Sequence, residues 1–192
     1  MHPIYHTRGI ILGSFESGEA DRRLAIYAED FGLIYAHAQG IRKLESKLRF
    51  ALQDFSLAEI DLVRGRALWR VTSATSIETF PLIRGDSHSL ALFAHMAGLI
   101  RTLCHGEEDN TLIFADLSGA LAALEREDLS RERREAVEHL FVLRMLGHLG
   151  YIGNHEALGG YLSGAFNVDI YDPKDREAIL VEINRGLKES QL

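Results

Sequence analysis

The chain has very little cysteine. One residue, Cys104, stands among 192. That excludes an internal disulfide and a zinc site built from several thiolates, and it fits a reducing cytoplasm. Long apolar runs are missing as well. Every hydrophobic stretch meets Arg, His, Asp or Gly before reaching the roughly 18–20 residues of a membrane-spanning helix. The start, MHPIYHTRGIIL, lacks the basic-then-apolar layout of a secretory signal, so a cytoplasmic chain with no membrane contact is expected. No phosphate loop, nucleophile elbow or metal-binding motif is present, so neither an enzyme nor a cofactor is expected. Internal repeats and low-complexity segments are absent too.

What is there is a core-forming chain with unevenly placed charge. Hydrophobic residues make up 46% of it, enough to exclude global disorder. Net charge is −7. Residues 1–79 hold ten Lys/Arg and ten Asp/Glu, while residues 80–192 hold eleven and eighteen. The acidic excess therefore lies wholly in the second part. Within 40–70 the balance is seven basic to four acidic. Screening confines repulsion to about 10 Å, so a basic stripe on a neutral module still attracts polyanions.

The first part alternates with period two, the mark of half-buried strands. Gly9–Phe15 reads as one strand, followed by the turn-like SGEAD. Leu24, Ile26 and Ala28 alternate with Ala25, Tyr27 and Glu29 in a second. Asp30-Phe31-Gly32 is a tight turn, and Leu33–Ala38 is a third strand. Phe55, Leu57, Ile60 and Leu62 form a fourth with a one-residue slip at Ala58, which predicts a β-bulge. Arg64-Gly65-Arg66 turns into a fifth, Ala67–Thr79. Five short strands suit a small barrel, of which the OB-fold is the best-populated type that binds nucleic acid. Beyond Pro81 and Gly85 the period becomes helical. Helices are expected from Asp86 or Ser87 to about Leu103, from Thr111 to Arg126, from a Ser130 cap to about Leu149, and after Asp172-Pro173. HGEEDN, between the first two, reads as a polar loop, and residues 153–171 are Gly-rich and give no assignment. The expected architecture is α+β: a five-stranded OB-fold barrel over residues 1–80, then an all-helical domain over 81–192.

Between the third and fourth strands lies QGIRKLESKLRFALQDF, Gln39–Phe55. It carries Arg42, Lys43, Lys47 and Arg49 against a single internal acid, Glu45, before Asp54. Cations on such an excursion supply sequence-independent phosphate contacts; the bland alternative is a solvated loop balanced by Glu45. Arg64, Arg66 and Arg70 flank the last hairpin and extend the same set. Trp69 is either a base-stacking platform or core, and its alternation with Val71 favours the core. Phe50 and Tyr27 are weighed the same way. Glu19 and Asp21 resemble a catalytic carboxylate pair but fit turn organisation better, with Arg22 and Arg23 as local ion-pair partners. His88, His95 and Cys104 do not make a metal site, because His88 to Cys104 spans about 24 Å of helix.

Several segments together resemble one family. These are Arg8-Gly9-Ile10-Ile11-Leu12, Gly18-Glu19-Ala20-Asp21-Arg22, Phe31-Gly32, Gly40-Ile41-Arg42-Lys43 with Ser46-Lys47-Leu48 and Leu52, and Gly65-Arg66-Ala67-Leu68-Trp69. Their order and spacing are similar to those of the bacterial RecO recombination and repair proteins, over about residues 7–75. Phe141–Tyr151, FVLRMLGHLGY, resembles that family's helix ending in Leu-Gly-Tyr. The resemblance implies an N-terminal OB-fold and a helical second domain. It further implies binding to single- and double-stranded DNA, strand annealing, and help in loading recombinase. Its partners would be RecR and the single-strand DNA-binding protein, its place the cytoplasm in association with the nucleoid, and it would hydrolyse no nucleotide. The chain departs from the family at IGNHEALGGYLSG, where many members carry four zinc-binding cysteines, and it is short after that helix. The rival expectation is a protein-interaction adapter that acts through the acidic helical part without direct DNA binding.

Overall fold

Alternation in the first part produces five strands: β1 Ile4–Ser17, β2 Asp21–Ala28, β3 Gly32–Ala38, β4 Leu57–Arg64 and β5 Trp69–Glu78. The computed structural model describes residues 3–106, 110–153 and 156–190, so half of the HGEEDN segment, residues 107–109, lies outside the described residues. The strands close into a barrel in the order β1-β2-β3-β5-β4, the five-stranded OB-fold arrangement.

β1 is longer than the expected Gly9–Phe15, and its length closes the barrel. Its first half runs antiparallel to β4, from Ile4 opposite Val63 to Ile10 opposite Leu57. Its second half runs antiparallel to β2, from Gly9 opposite Ala28 to Ser17 opposite Asp21. The two pairings overlap at Gly9 and Ile10, and Gly9 is the tight point. A Cβ there would lie 2.7 Å from Ile26 Cγ2 and 2.9 Å from Ile60 Cδ1, so only hydrogen fits. β3 joins β5 in parallel, Ala36 beside Trp69 and His37 beside Arg70. The slip at Ala58 is a register shift between Leu57 and Ala58 in the β4–β5 ladder.

The interior is filled by Ile11, Leu24, Ile26, Ile34, Ile60, Leu62, Trp69 and Val71. Tyr5 and Phe31 pack edgewise or tilted on Trp69 at centroid distances of 5.2 Å. β2 departs from the half-exposed pattern. Ala25 and Tyr27 on its other face are buried as deeply as Leu24 and Ile26. By its contacts the first compact unit comprises the chain up to Phe80 together with Ala97–Thr111. Tyr27 Oη lies 3.5 Å from Asn110 O, and the Arg101 guanidinium sits 6.0 Å from the Phe15 ring. A segment distant in sequence thus reaches Tyr27, on a face that periodicity assigns to water.

The second unit comprises Pro81–Met96 and the chain from Leu112 onward. Its helices are α2 Pro81–Gly85, α3 Ser87–Leu103 (whose last turns group with the barrel), α4 Thr111–Leu124, α5 Arg131–His148, α6 Gly159–Leu162 and α7 Arg176–Glu189. α1, Leu48–Ala51, lies in the barrel unit. Asp86 caps α3 by accepting from the Ser89 N–H at 3.0 Å, and Ser130 caps α5 by accepting from the Arg133 N–H at 3.3 Å. Phe93, Leu117, Leu121, Phe141 and Leu143 are fully buried. α7 begins at Arg176, later than expected. Asp172 and Pro173 instead set a 3-10 turn, Pro173–Asp175, in which Asp172 Oδ1 accepts from the Lys174 N–H.

The unassigned Gly-rich stretch is held by a buried arginine. Arg144 on α5 is 5% exposed and donates to Asp116 Oδ2 at 2.8 Å, and to the carbonyls of Tyr161, Ser163 and Gly164 at 2.9, 3.2 and 2.7 Å. His148 Nε2 lies 2.7 Å from the same Asp116 oxygen. Burial alone would raise the Asp116 carboxyl. The hydrogen bonds and charges of His148 and Arg144 outweigh it and hold the carboxyl below the ordinary carboxylate range.

Candidate nucleic-acid interface

The connection from Gln39 to Phe55 is built on the barrel at both ends. At its start, Asp21 Oδ1 accepts from the Gly40 N–H at 2.7 Å, and the Arg42 N–H donates to Ala20 O. Gly40 takes φ 65°, a turn conformation open to glycine. Asp21 thus accepts a backbone hydrogen bond, but at the Gly40 turn nineteen residues on and not in its own SGEAD segment as expected, with His37 Nε2 3.2 Å from its other oxygen. Arg22 and Arg23 do not pair with Glu19 or Asp21 among the described residues; Arg22 donates to Ser14 Oγ instead. Near its end the connection folds into the unanticipated α1. Ala51 and Leu52 turn into the barrel core, while Arg49 and Phe50 stay outside. Ser56 Oγ donates to Gln53 O at 2.7 Å, and the Phe55 N–H donates to Ile11 O at 2.8 Å, fixing the return.

All seven expected cations are exposed. Arg70 links four of them, itself with Lys43, Arg64 and Arg66. One concavity of about 540 Å³ is lined by Lys43, Glu45, Ser46, Leu48, Arg70 and Thr72, among others. A second, of about 460 Å³, is lined by Val63, Arg64, Gly65, Arg66 and Arg70. Because Arg70 lines both, a basic surface runs from Lys43 across β5 to the β4–β5 turn. Gly65 shapes that turn, since a Cβ there would meet Leu68 O at 2.3 Å.

The seven differ in their commitments. Arg42 faces Glu16 at 3.3 Å, and Arg64 stacks over Trp69 at 5.2 Å from the ring centroid. The side chains of Lys43, Lys47, Arg49, Arg66 and Arg70 make no ion pair or hydrogen bond among the described residues. Lys47 and Arg49 line neither concavity. Glu45 shares the first concavity with Lys43 without pairing to it, so the balancing role considered for it is not found. Arg8, by contrast, is committed. Its guanidinium hydrogen-bonds Glu29 (2.7 Å from Nε to Oε2), which holds that carboxyl below its ordinary value.

The aromatic residues separate clearly. Trp69 and Tyr27 are buried, 3% and 1% exposed, as the core reading expects. Phe50 is 67% exposed, which corrects its assignment to the core. A four-residue helix inserted in the connection turns Ala51 inward and Phe50 outward, and alternation by twos does not report that. On α3, His95 contacts Glu138 and His88 Nε2 lies 3.9 Å from Glu135. Among the described residues no cluster of three or more His, Cys, Asp or Glu is arranged to hold a metal ion, and no helix is long and apolar enough to cross a membrane.

Residues 1–80 match the family profile described as "Recombination protein O N terminal". The chain is similar to proteins named DNA repair protein RecO. It is 37% identical over 148 residues to the one from Rubrobacter xylanophilus, which covers 77% of this chain and 58% of that protein. It is 31% identical over 148 residues to that of Pelotomaculum thermopropionicum and 33% over 147 residues to that of Dehalococcoides mccartyi, each covering 77% of this chain and 56% of the relative. The matched stretch thus spans little more than half the length of these relatives.

Proposed function

The chain belongs to the RecO family of DNA repair proteins, and from that premise we propose that it is a DNA-binding recombination mediator. The barrel of residues 1–80 binds the backbones of single- and double-stranded DNA. The helical domain of residues 81–192 docks proteins, RecR and the single-strand DNA-binding protein among them, so that recombinase is loaded. Annealing proceeds by neutralising two strands and bringing them together. No covalent bond is made or broken, so the chain is not an enzyme and needs no cofactor. It works in the cytoplasm, on the nucleoid.

The observation that carries this reading is the basic surface joined through Arg70. Lys43 joins it from the connection, Arg64 and Arg66 from the last hairpin, and Arg42, Lys47 and Arg49 are further exposed cations of the same connection. Lys43, Lys47, Arg49, Arg66 and Arg70, which have no carboxylate partner among the described residues, keep their full attraction for phosphate and release bound counterions when it docks. Four such contacts to a single strand give a log–log salt slope of about −3, roughly a 50-fold affinity loss between about 50 and 200 mM salt. Charge reversal of Arg42, Lys43, Lys47 and Arg49 to Glu should abolish binding of a single-stranded oligonucleotide, measured by anisotropy, and leave the melting temperature unchanged. Wild-type affinity indifferent to salt would refute the mechanism.

The acidic excess of residues 80–192 favours a second reading, an adapter that binds proteins and no DNA. The four-fold reversal in the full chain separates the two. An adapter keeps its partners and shows no DNA affinity even before mutation. Cutting at residue 80 is a poor substitute, because Ala97–Thr111 groups with the barrel and its loss would expose the Tyr27 face.

A further inference from the structure

Leu44 and Phe50 are the two most exposed large hydrophobic side chains among the described residues, at 82% and 67%. Single exposed apolar residues are ordinary on protein surfaces, so exposure decides nothing by itself. The setting of Phe50 does. It sits on α1, whose end is anchored through Ala51 and Leu52 in the core and through Ser56 Oγ on Gln53 O. It is therefore presented on a fixed turn of helix. Its neighbours Lys47 and Arg49 are exposed cations with no side-chain partner among the described residues. α1 packs on β5, the strand that carries Arg70.

An apolar protein partner covering Phe50 would have to strip water from these cations without replacing it. A polyanion with flat apolar faces satisfies both demands. A duplex offers the charge but keeps its bases stacked inside, whereas an unpaired strand offers charge and open base faces together. We propose that Phe50 is a stacking platform for an unpaired base, and that it biases the basic connection toward single-stranded over double-stranded DNA. This rests on the DNA-binding reading above and adds the residue that sets strand preference.

The test uses the full chain with a single-stranded oligonucleotide and a duplex of the same length, each at two salt concentrations. Phe50→Ala should weaken single-strand binding by about 5- to 150-fold, leave duplex binding within two-fold, and leave the salt slope unchanged. Phe50→Tyr should restore wild-type preference. Because Phe50 lies outside the core, both variants should melt with the wild type. Wild-type DNA binding that Phe50→Ala leaves intact, or weakens equally for both oligonucleotides, overturns this inference alone. A wild type that binds neither oligonucleotide overturns it together with the reading it rests on.

Discussion

Replacing Arg144 by methionine should unravel the segment around Gly159–Gly164. Methionine keeps most of the volume and none of the donors. In the wild type one guanidinium, 5% exposed, serves the Asp116 carboxylate and three backbone carbonyls. Removing it leaves a buried carboxylate with His148 as its remaining side-chain partner and three carbonyls without this donor. Breaking a buried pair from one side costs about 3–5 kcal/mol, a large share of the 5–15 kcal/mol typical of a whole domain. Urea denaturation of wild type and Arg144→Met reads the loss, and limited proteolysis should find faster cleavage near Ser163. A loss under about 1 kcal/mol, the range of an exposed pair, would refute the buried-anchor argument. The pH dependence supplies a second check. The Asp116 carboxyl is depressed in the folded chain, so its contribution is present above its unfolded pKa of about 3.9 and is lost as pH falls through the folded value. The stability gap between wild type and Asp116→Asn should therefore be widest above about pH 5 and shrink below about pH 4.

Gly9→Ala should cost about 1–3 kcal/mol in denaturant unfolding, because the added methyl meets Ile26 and Ile60 from both neighbouring strands. A neutral result would mean the barrel relaxes at that crossing. Asp21→Ala removes the acceptor of the Gly40 N–H and should cost about 1–3 kcal/mol. Faster hydrogen exchange at the Gly40 amide is the local signature, and unchanged exchange there would count against Asp21 as the anchor of the connection.

Much of the barrel was legible because its signals are local. Period-two runs marked the five strands, and the slip at Ala58 marked a bulge that the β4–β5 ladder contains. The Asp86 and Ser130 caps marked two helix starts to within a residue. The seven cations were readable as a set, and all lie at the surface. Other features were not legible, for identifiable reasons. Arg144 stood in an apolar helix end with no cue that distant carbonyls would surround it. Asp21 sat beside two arginines and chose a backbone amide nineteen positions away instead.

Sequence by itself determined the order of the five strands and the main helices and the pooling of positive charge between β3 and β5, since both depend on residues within a few positions of one another. Tertiary structure decided what faces water. It buried Tyr27 under a segment beyond residue 96, turned Phe50 outward on a short helix, and gathered Lys43 and Arg66 around Arg70. Exposure depends on what else packs nearby, and the covering residues lie tens of positions away, where no pattern along the chain records them.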